Sequence, residues 1–116
     1  MRILISGAGI AGPALAFWLH RAGADVTVVE KAPAIRPDGQ AVDFKGETHR
    51  TVLSRMGILD DVRRLQTGGG GDGVIVDTAG RRIGTMPAEF SAGEIEIARG
   101  DLARLCLLYT SPSPRD

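Results

Sequence analysis

The sequence predicts an α/β fold that opens with a parallel βαβ unit, and three observations carry that expectation. Residues 1–6 are an almost unbroken apolar and β-branched run, the pattern of a short strand covered on both faces. Gly7, Gly9 and Gly12 follow at GxGxxG spacing, directly ahead of an Ala- and Leu-rich stretch. A second β-branched run then ends in an acid, Glu30, 23 positions after Gly7.

Each element has its own reason. Residues 11–22 are too long and too rich in Ala and Leu for a strand; Pro13 is tolerated in a first helical turn and Gly23 suits the position just past a helix end. Residues 25–30, DVTVVE, form the second strand, reached by a short return at Gly23 and Ala24. Such a crossover is right-handed in nearly all cases. Two prolines and an Asp-Gly pair make residues 32–39 a loop, and a short strand follows over 40–44. Helical spacing of Val52, Leu53 and Met56, then of Leu59, Val62 and Leu65, predicts two helices over 47–56 and 59–65, separated by Gly57. The glycines of 68–71 read as a connector, since no strand feeds them and no capped helix leaves them. Residues 74–77 and 82–86 read as a hairpin, 94–97 as a half-exposed strand, and a helix begins near Asp101.

Composition narrows the function. The 116 residues carry 14 Lys and Arg against 14 Asp and Glu, so the basic footprint of a nucleic-acid binder is missing. No charge run suggests a membrane surface, and the early apolar stretch is broken by Gly7, Gly9, Gly12 and Pro13, so it is no membrane span. The expected partner is a small molecule, with neither nucleic acid nor membrane. With 43% hydrophobic and 24% charged residues the chain should fold, although aromatics at 4% leave little area for a large core. A lone cysteine, Cys106, cannot pair internally, which agrees with a reducing, cytoplasmic setting.

The glycine motif carries the chemistry. Gly7 permits a tight turn, Gly9 lets a pyrophosphate approach the backbone, and Gly12 lets the helix pack closely on the strands. The helix start at Ile10 and Ala11 supplies free N–H groups and a positive dipole end for the diphosphate. Glu30 would accept hydrogen bonds from the ribose hydroxyls, and its charge would repel a 2′-phosphate. The residues alone leave FAD and NAD both open. His20 and His49 have no ligand partner at metal spacing and belong to the surface, Asp43 reads as structural, and no nucleophile constellation is present.

Four segments decide further: ISGAGIAGPALAFWLHRAGADVTVVEK, DGQAVDFKG, MGILDDV and EIARGDLARL. Together they resemble the flavin-dependent aromatic and polyketide monooxygenases, the class A flavoprotein hydroxylases that include the tetracycline-inactivating enzymes. The resemblance implies a Rossmann-like βαβ FAD-binding unit with a helix pair and short β-meander, truncated, and it selects FAD. It places Arg99 near the ribityl and phosphate region and sets Arg36 with Gly39, Gln40 and Ala41 along the cofactor's edge. Lys31 stands where the family more often has arginine. The implied parent enzyme uses NAD(P)H and O2 to hydroxylate a small aromatic or polycyclic molecule. An FAD-dependent reductase or dehydrogenase sharing this half-site, or a stand-alone nucleotide-binding module, are the competing readings.

Residues 106–116, CLLYTSPSPRD, are expected to break the last helix. They look like the in-frame translation of a sequencing-library transposase adapter, which divides the chain into residues 1–105, the N-terminal part of an FAD-binding domain, and a non-native tail. On that reading the fragment has no monooxygenase activity and binds FAD weakly or not at all, because groups that position the flavin and substrate are missing.

Overall fold

The computed structural model describes residues 1–37, 39–68, 71–91 and 95–110. β1 (Arg2–Ser6) and β2 (Asp25–Val29) pair in parallel, Arg2 opposite Asp25 and Ser6 opposite Val29, with α1 (Ala11–Arg21) crossing between them. This is the expected βαβ unit. One feature differs from expectation, because α1 covers a single face of the two strands. Ile3, Ile5, Val26 and Val28 are half-buried, while Leu4 on the opposite face is 69% exposed. An apolar run thus marks a strand here without showing that both faces are covered.

β3 (Ala41–Phe44), α2 (Glu47–Met56) and α3 (Leu59–Arg64) follow. Leu53, Met56 and Val62 turn inward as their spacing predicts, whereas Val52 and Leu65 remain exposed. The 68–71 connector lies partly outside the described residues. β4 (Gly73–Val76) and β5 (Arg82–Met86) form the expected hairpin, closed by Asp77, whose carboxylate accepts the Ala79 and Arg81 N–H groups at 2.9 Å. α4 (Ala88–Ser91), β6 (Ile95–Ala98) and α5 (Arg99–Thr110) complete the order.

The later strands do not form one meander. β6 pairs antiparallel with β3, Phe44 opposite Ile95 and Ala41 opposite Ala98, while the hairpin is a separate two-stranded sheet. Burial explains the choice: Ile95 and Ile97 sit in the core, and that position is reached beside Val42 and Phe44. Core formation also explains a third departure, at the chain's end. α5 continues past Leu105 to Thr110 instead of breaking, and Cys106 is only 2% exposed. Cys106, Leu107 and Leu108 carry no helix-breaking feature; the first proline after Leu105 is Pro112.

The core therefore lies between α2, α3, β6 and α5, with Ile10, Ala14 and Phe17 bringing α1 against it. Arg21 fastens the far end of α1, donating to the Arg55 carbonyl at 3.0 Å while its guanidinium lies over the Phe17 and Trp18 rings. Thr110 fastens the near end, donating to the Pro13 carbonyl at 2.7 Å. The consequence is positional: the end of α5 is tied to the start of α1, and the end of α1 to α2. Among the described residues no helix is long and apolar enough to cross a membrane.

Candidate cofactor site

Because β1 and β2 are parallel, both leave the sheet at the same edge, and the segments that follow them wall a cleft of about 230 Å³. Ala8 and Gly9 line it from the turn after β1. Glu30, Ala32, Ala34, Ile35 and Arg36 line it from the segment after β2, and Arg99 and Ala103 from α5. The volume is below the roughly 300–1,000 Å³ of a complete small-molecule site. It suits part of a dinucleotide.

The turn is built as its glycines require. Gly7 has φ +108°, a conformation that other L-residues rarely adopt, and its N–H donates to the Val29 carbonyl at 2.7 Å. A Cβ on Gly12 would lie 1.9 Å from the Gly7 carbonyl oxygen, so α1 can begin against the strand only with glycine there. Pro13, third in the helix, offers no N–H, and Ala14 donates to the Ile10 carbonyl at 3.1 Å. The forward-facing donors at this positive helix end are therefore the N–H groups of Ala11 and Gly12.

Glu30 is exposed, and each of its carboxylate oxygens accepts a backbone N–H. One carboxylate oxygen accepts the Ala8 N–H at 2.7 Å and the other accepts the Ala32 N–H at 2.8 Å. These bonds, the Ala32 one foremost, hold its carboxyl below the ordinary value of 4.5. Its negative charge is fixed at one lip, and Arg36 and Arg99 are the two basic residues among the remaining, mostly apolar lining. The arrangement brings a carboxylate acceptor and two basic residues to one cleft.

Arg99 ties three segments together. Its backbone N–H donates to the Gln40 carbonyl at 3.2 Å, and its stem lies 3.2 Å from where a Cβ on Gly39 would sit. Its Nη2 is 3.6 Å from the corresponding position on Gly9. The next residue, Gly100, faces the Arg36 and Pro37 carbonyls so closely that a Cβ would meet the Pro37 oxygen at 2.3 Å. The loop after β2 is thereby seated on the start of α5.

Of the residues singled out in the sequence, Gly9, Glu30, Arg36 and Arg99 line one cleft. Gly7, Ile10, Ala11 and Gly12 form the turn and helix start beside it. Gly39 and Gln40 touch the site through Arg99, Ala41 pairs with Ala98 in the strand leading to it, and Lys31 is an exposed residue outside the cleft lining. Sequence reasoning missed Ala8, Ala32, Ala34, Ile35, Gly100 and Ala103. Ala103 was within reach, because it lies one helical turn after Arg99 on the same face. His20 and His49 are exposed, His49 accepting the Lys45 N–H at 3.0 Å, and Asp43 is an exposed strand residue. Among the described residues no cluster could hold a metal ion.

Comparison with known proteins fits this geometry. Residues 1–103 match the family described as FAD binding domain. A flavin-dependent monooxygenase of a Phoma species is 42% identical over 112 residues, which is 90% of this chain and 26% of the relative. A flavin-dependent monooxygenase of Legionella longbeachae is 37% identical over 119 residues, 98% of this chain and 30% of the relative. Among solved structures, tetracycline destructase Tet(55) superposes with a TM-score of 0.76 at 36% identity, covering 96% of this chain and 28% of its own. Tet(51) gives 0.73 at 34%, covering 97% and 29%. The chain thus spans between a quarter and a third of the length of the relatives it matches.

Proposed function

Since the chain belongs to the FAD binding domain family, we propose that it forms the adenosine-diphosphate half of the FAD site in a flavin-dependent monooxygenase. The observation that carries this reading is the convergence of the glycine turn, Glu30, Arg36 and Arg99 on one cleft. Glu30 presents oxygen acceptors for the vicinal ribose hydroxyls. The Ala11 and Gly12 N–H groups, with the Arg99 guanidinium, bind and orient the diphosphate at a helix start. The Arg36 side chain adds charge along the outer wall, and Gln40 and Gly39 fix the course of Arg99.

Bound FAD would supply the redox chemistry of the parent enzyme, the hydroxylation of a small aromatic or polycyclic substrate with NAD(P)H and O2. What this chain contributes is binding and orientation. The groups that would meet the isoalloxazine and the substrate are not among its site residues. The likeness to monooxygenases and to tetracycline destructases supports this reaction class over a reductase.

Residues 106–116 belong to the same proposal as a non-native, adapter-derived tail. Residues 106–110 pack beside α1 and α3 whatever their origin, Thr110 donating to the Pro13 carbonyl and Tyr109 to the Asp61 carboxylate. The test is to sequence the source DNA across the Leu105 codon and express the continuous reading frame. A frame that continues without CLLYTSPSPRD, and a product that retains FAD and consumes NAD(P)H with O2, is the expected result. A stop codon directly after Asp116 in the genome, or a full-length product that binds no flavin, overturns the reading.

A further inference from the structure

We infer that Glu30 is a positioning residue as well as a ligand contact: its carboxylate clamps the glycine turn to the loop after β2, setting the width of the cleft before any nucleotide arrives. The two oxygens are divided between the two walls, one on Ala8 of the turn at 2.7 Å and one on Ala32 of the loop at 2.8 Å. Both alanines and Glu30 itself line the cleft, so the clamp spans the entrance it shapes. At the base of the same pair of segments Gly7 already donates to Val29 at 2.7 Å, and beyond that rung the chains diverge. Glu30 extends the ladder by side chain where backbone pairing stops.

The carboxylate can do this without giving up ligand binding. An ionised carboxylate offers about four lone-pair sites, of which the two backbone donors use two. The remaining two are available to a vicinal diol in the cleft. The clamp also fixes the donor set for an anion: the Ala8 N–H is spent on Glu30, so a diphosphate must be held by later groups of the helix start.

The inference rests on the FAD reading only for the identity of the ligand, and its tests are separable from it. Amide hydrogen exchange on the full 116-residue chain without nucleotide should show Ala8 and Ala32 protected. In Glu30→Ala both should exchange about tenfold faster or more, the loss expected for a charge-assisted bond, with the β1–β2 ladder amides unchanged. Glu30→Gln, whose amide nitrogen cannot accept, should free one of the two. Should Glu30→Ala fail to fold, scalar coupling across the hydrogen bonds, from the Ala8 and Ala32 nitrogens to the Glu30 carboxyl carbon in the unaltered chain, decides the matter. Absence of both couplings, or unchanged exchange in the Ala variant, overturns the clamp.

The second readout uses 2′,3′-dideoxyadenosine diphosphate, which has no ribose hydroxyls for Glu30 to contact. Removing a negative charge should by itself strengthen binding of this anion. A severalfold weakening in Glu30→Ala therefore requires the clamp, whereas unchanged or tighter binding assigns Glu30 to ribose contact alone and overturns the positioning role. If the unaltered chain keeps both amides protected while the full-length product of the continuous reading frame binds no flavin, the nucleotide reading falls and the clamp stands.

Discussion

A Cβ placed on Gly12 would lie 1.9 Å from the carbonyl oxygen of Gly7 and 3.4 Å from Cγ2 of Ile5. The first of these is a backbone atom, so no side-chain rotation relieves the overlap; the start of α1 must move away from the end of β1. Gly12→Ala is expected to destabilise the chain by about 1–3 kcal/mol, the usual range for overpacking. Urea unfolding followed by circular dichroism measures it. An unchanged midpoint would show that the turn is looser than this close approach implies.

Arg99 offers a test of binding instead of stability. Its stem passes Gly39 and its guanidinium reaches Gly9, so it arrives at the cleft from a helix whose own packing is supplied by Leu102 and Leu105. Arg99→Ala should weaken ADP binding about tenfold or more through loss of a charge-assisted contact. Arg99→Lys should recover only part of this, because an ammonium lacks the planar fork. Calorimetric titration of the variants reads both effects, with the unfolding midpoint expected to stay near its original value. Equal affinity in all three would place Arg99 outside the site.

The legibility of the fold followed the range of the interactions. The βαβ unit was readable because its strands, turn glycines and helix depend on neighbours within about thirty residues, and the acid at Glu30 marks where the second strand ends. α2 was equally readable, since Leu53 and Met56 announce their face by spacing. What could not be read was which strand β6 would choose. Its pairing with β3 joins Ile95 to Phe44 across half the chain, and nothing local in IEIA distinguishes that from a third strand beside the hairpin. For the site, the residue types with chemistry were visible, but the alanines that line the cleft were not. Ala8 and Ala32 matter through backbone N–H groups, which every residue except proline possesses. Gly100 had one legible hint, a glycine directly after the cleft arginine, although its cause is the remote Pro37 carbonyl.

The acid side of the stability profile should be set partly by Glu30. Its folded-state carboxyl is held below 4.5 by the Ala32 and Ala8 N–H groups, and Asp77 is held below 3.8 by the Arg81 and Ala79 N–H groups. Depressed folded values mean that the stabilisation is fully present above the unfolded values and is lost as pH falls through the folded ones. Stability is therefore expected to be level down to about pH 5 and to decline below it. Denaturant midpoints measured stepwise between pH 7 and pH 3 test this. Glu30→Gln should shrink the decline, and a profile identical to that of the unaltered chain would remove Glu30 as a contributor.

Cys106 reports on the second half of α5, which the sequence led us to expect unravelled. Its side chain lies in the core, 2% exposed, and burial pushes the thiol up from 9.0 to about 11. Thiolate is the reactive form, so at pH 8 only about one molecule in a thousand would carry it, and that one would be shielded. Alkylation in the native state should run about a hundredfold slower than in urea, since the unfolded thiol is both accessible and near its ordinary acidity. Because the chain has one cysteine, mass spectrometry of the modified protein reads this site without ambiguity. The raised value also fixes a sign at high pH: the burial contribution is intact below pH 9 and is lost between there and about 11. Equal alkylation rates in the two states would mean that the segment from Cys106 to Thr110 does not dock, and that the core ends at Leu105 and is closed by α1 and α3 alone.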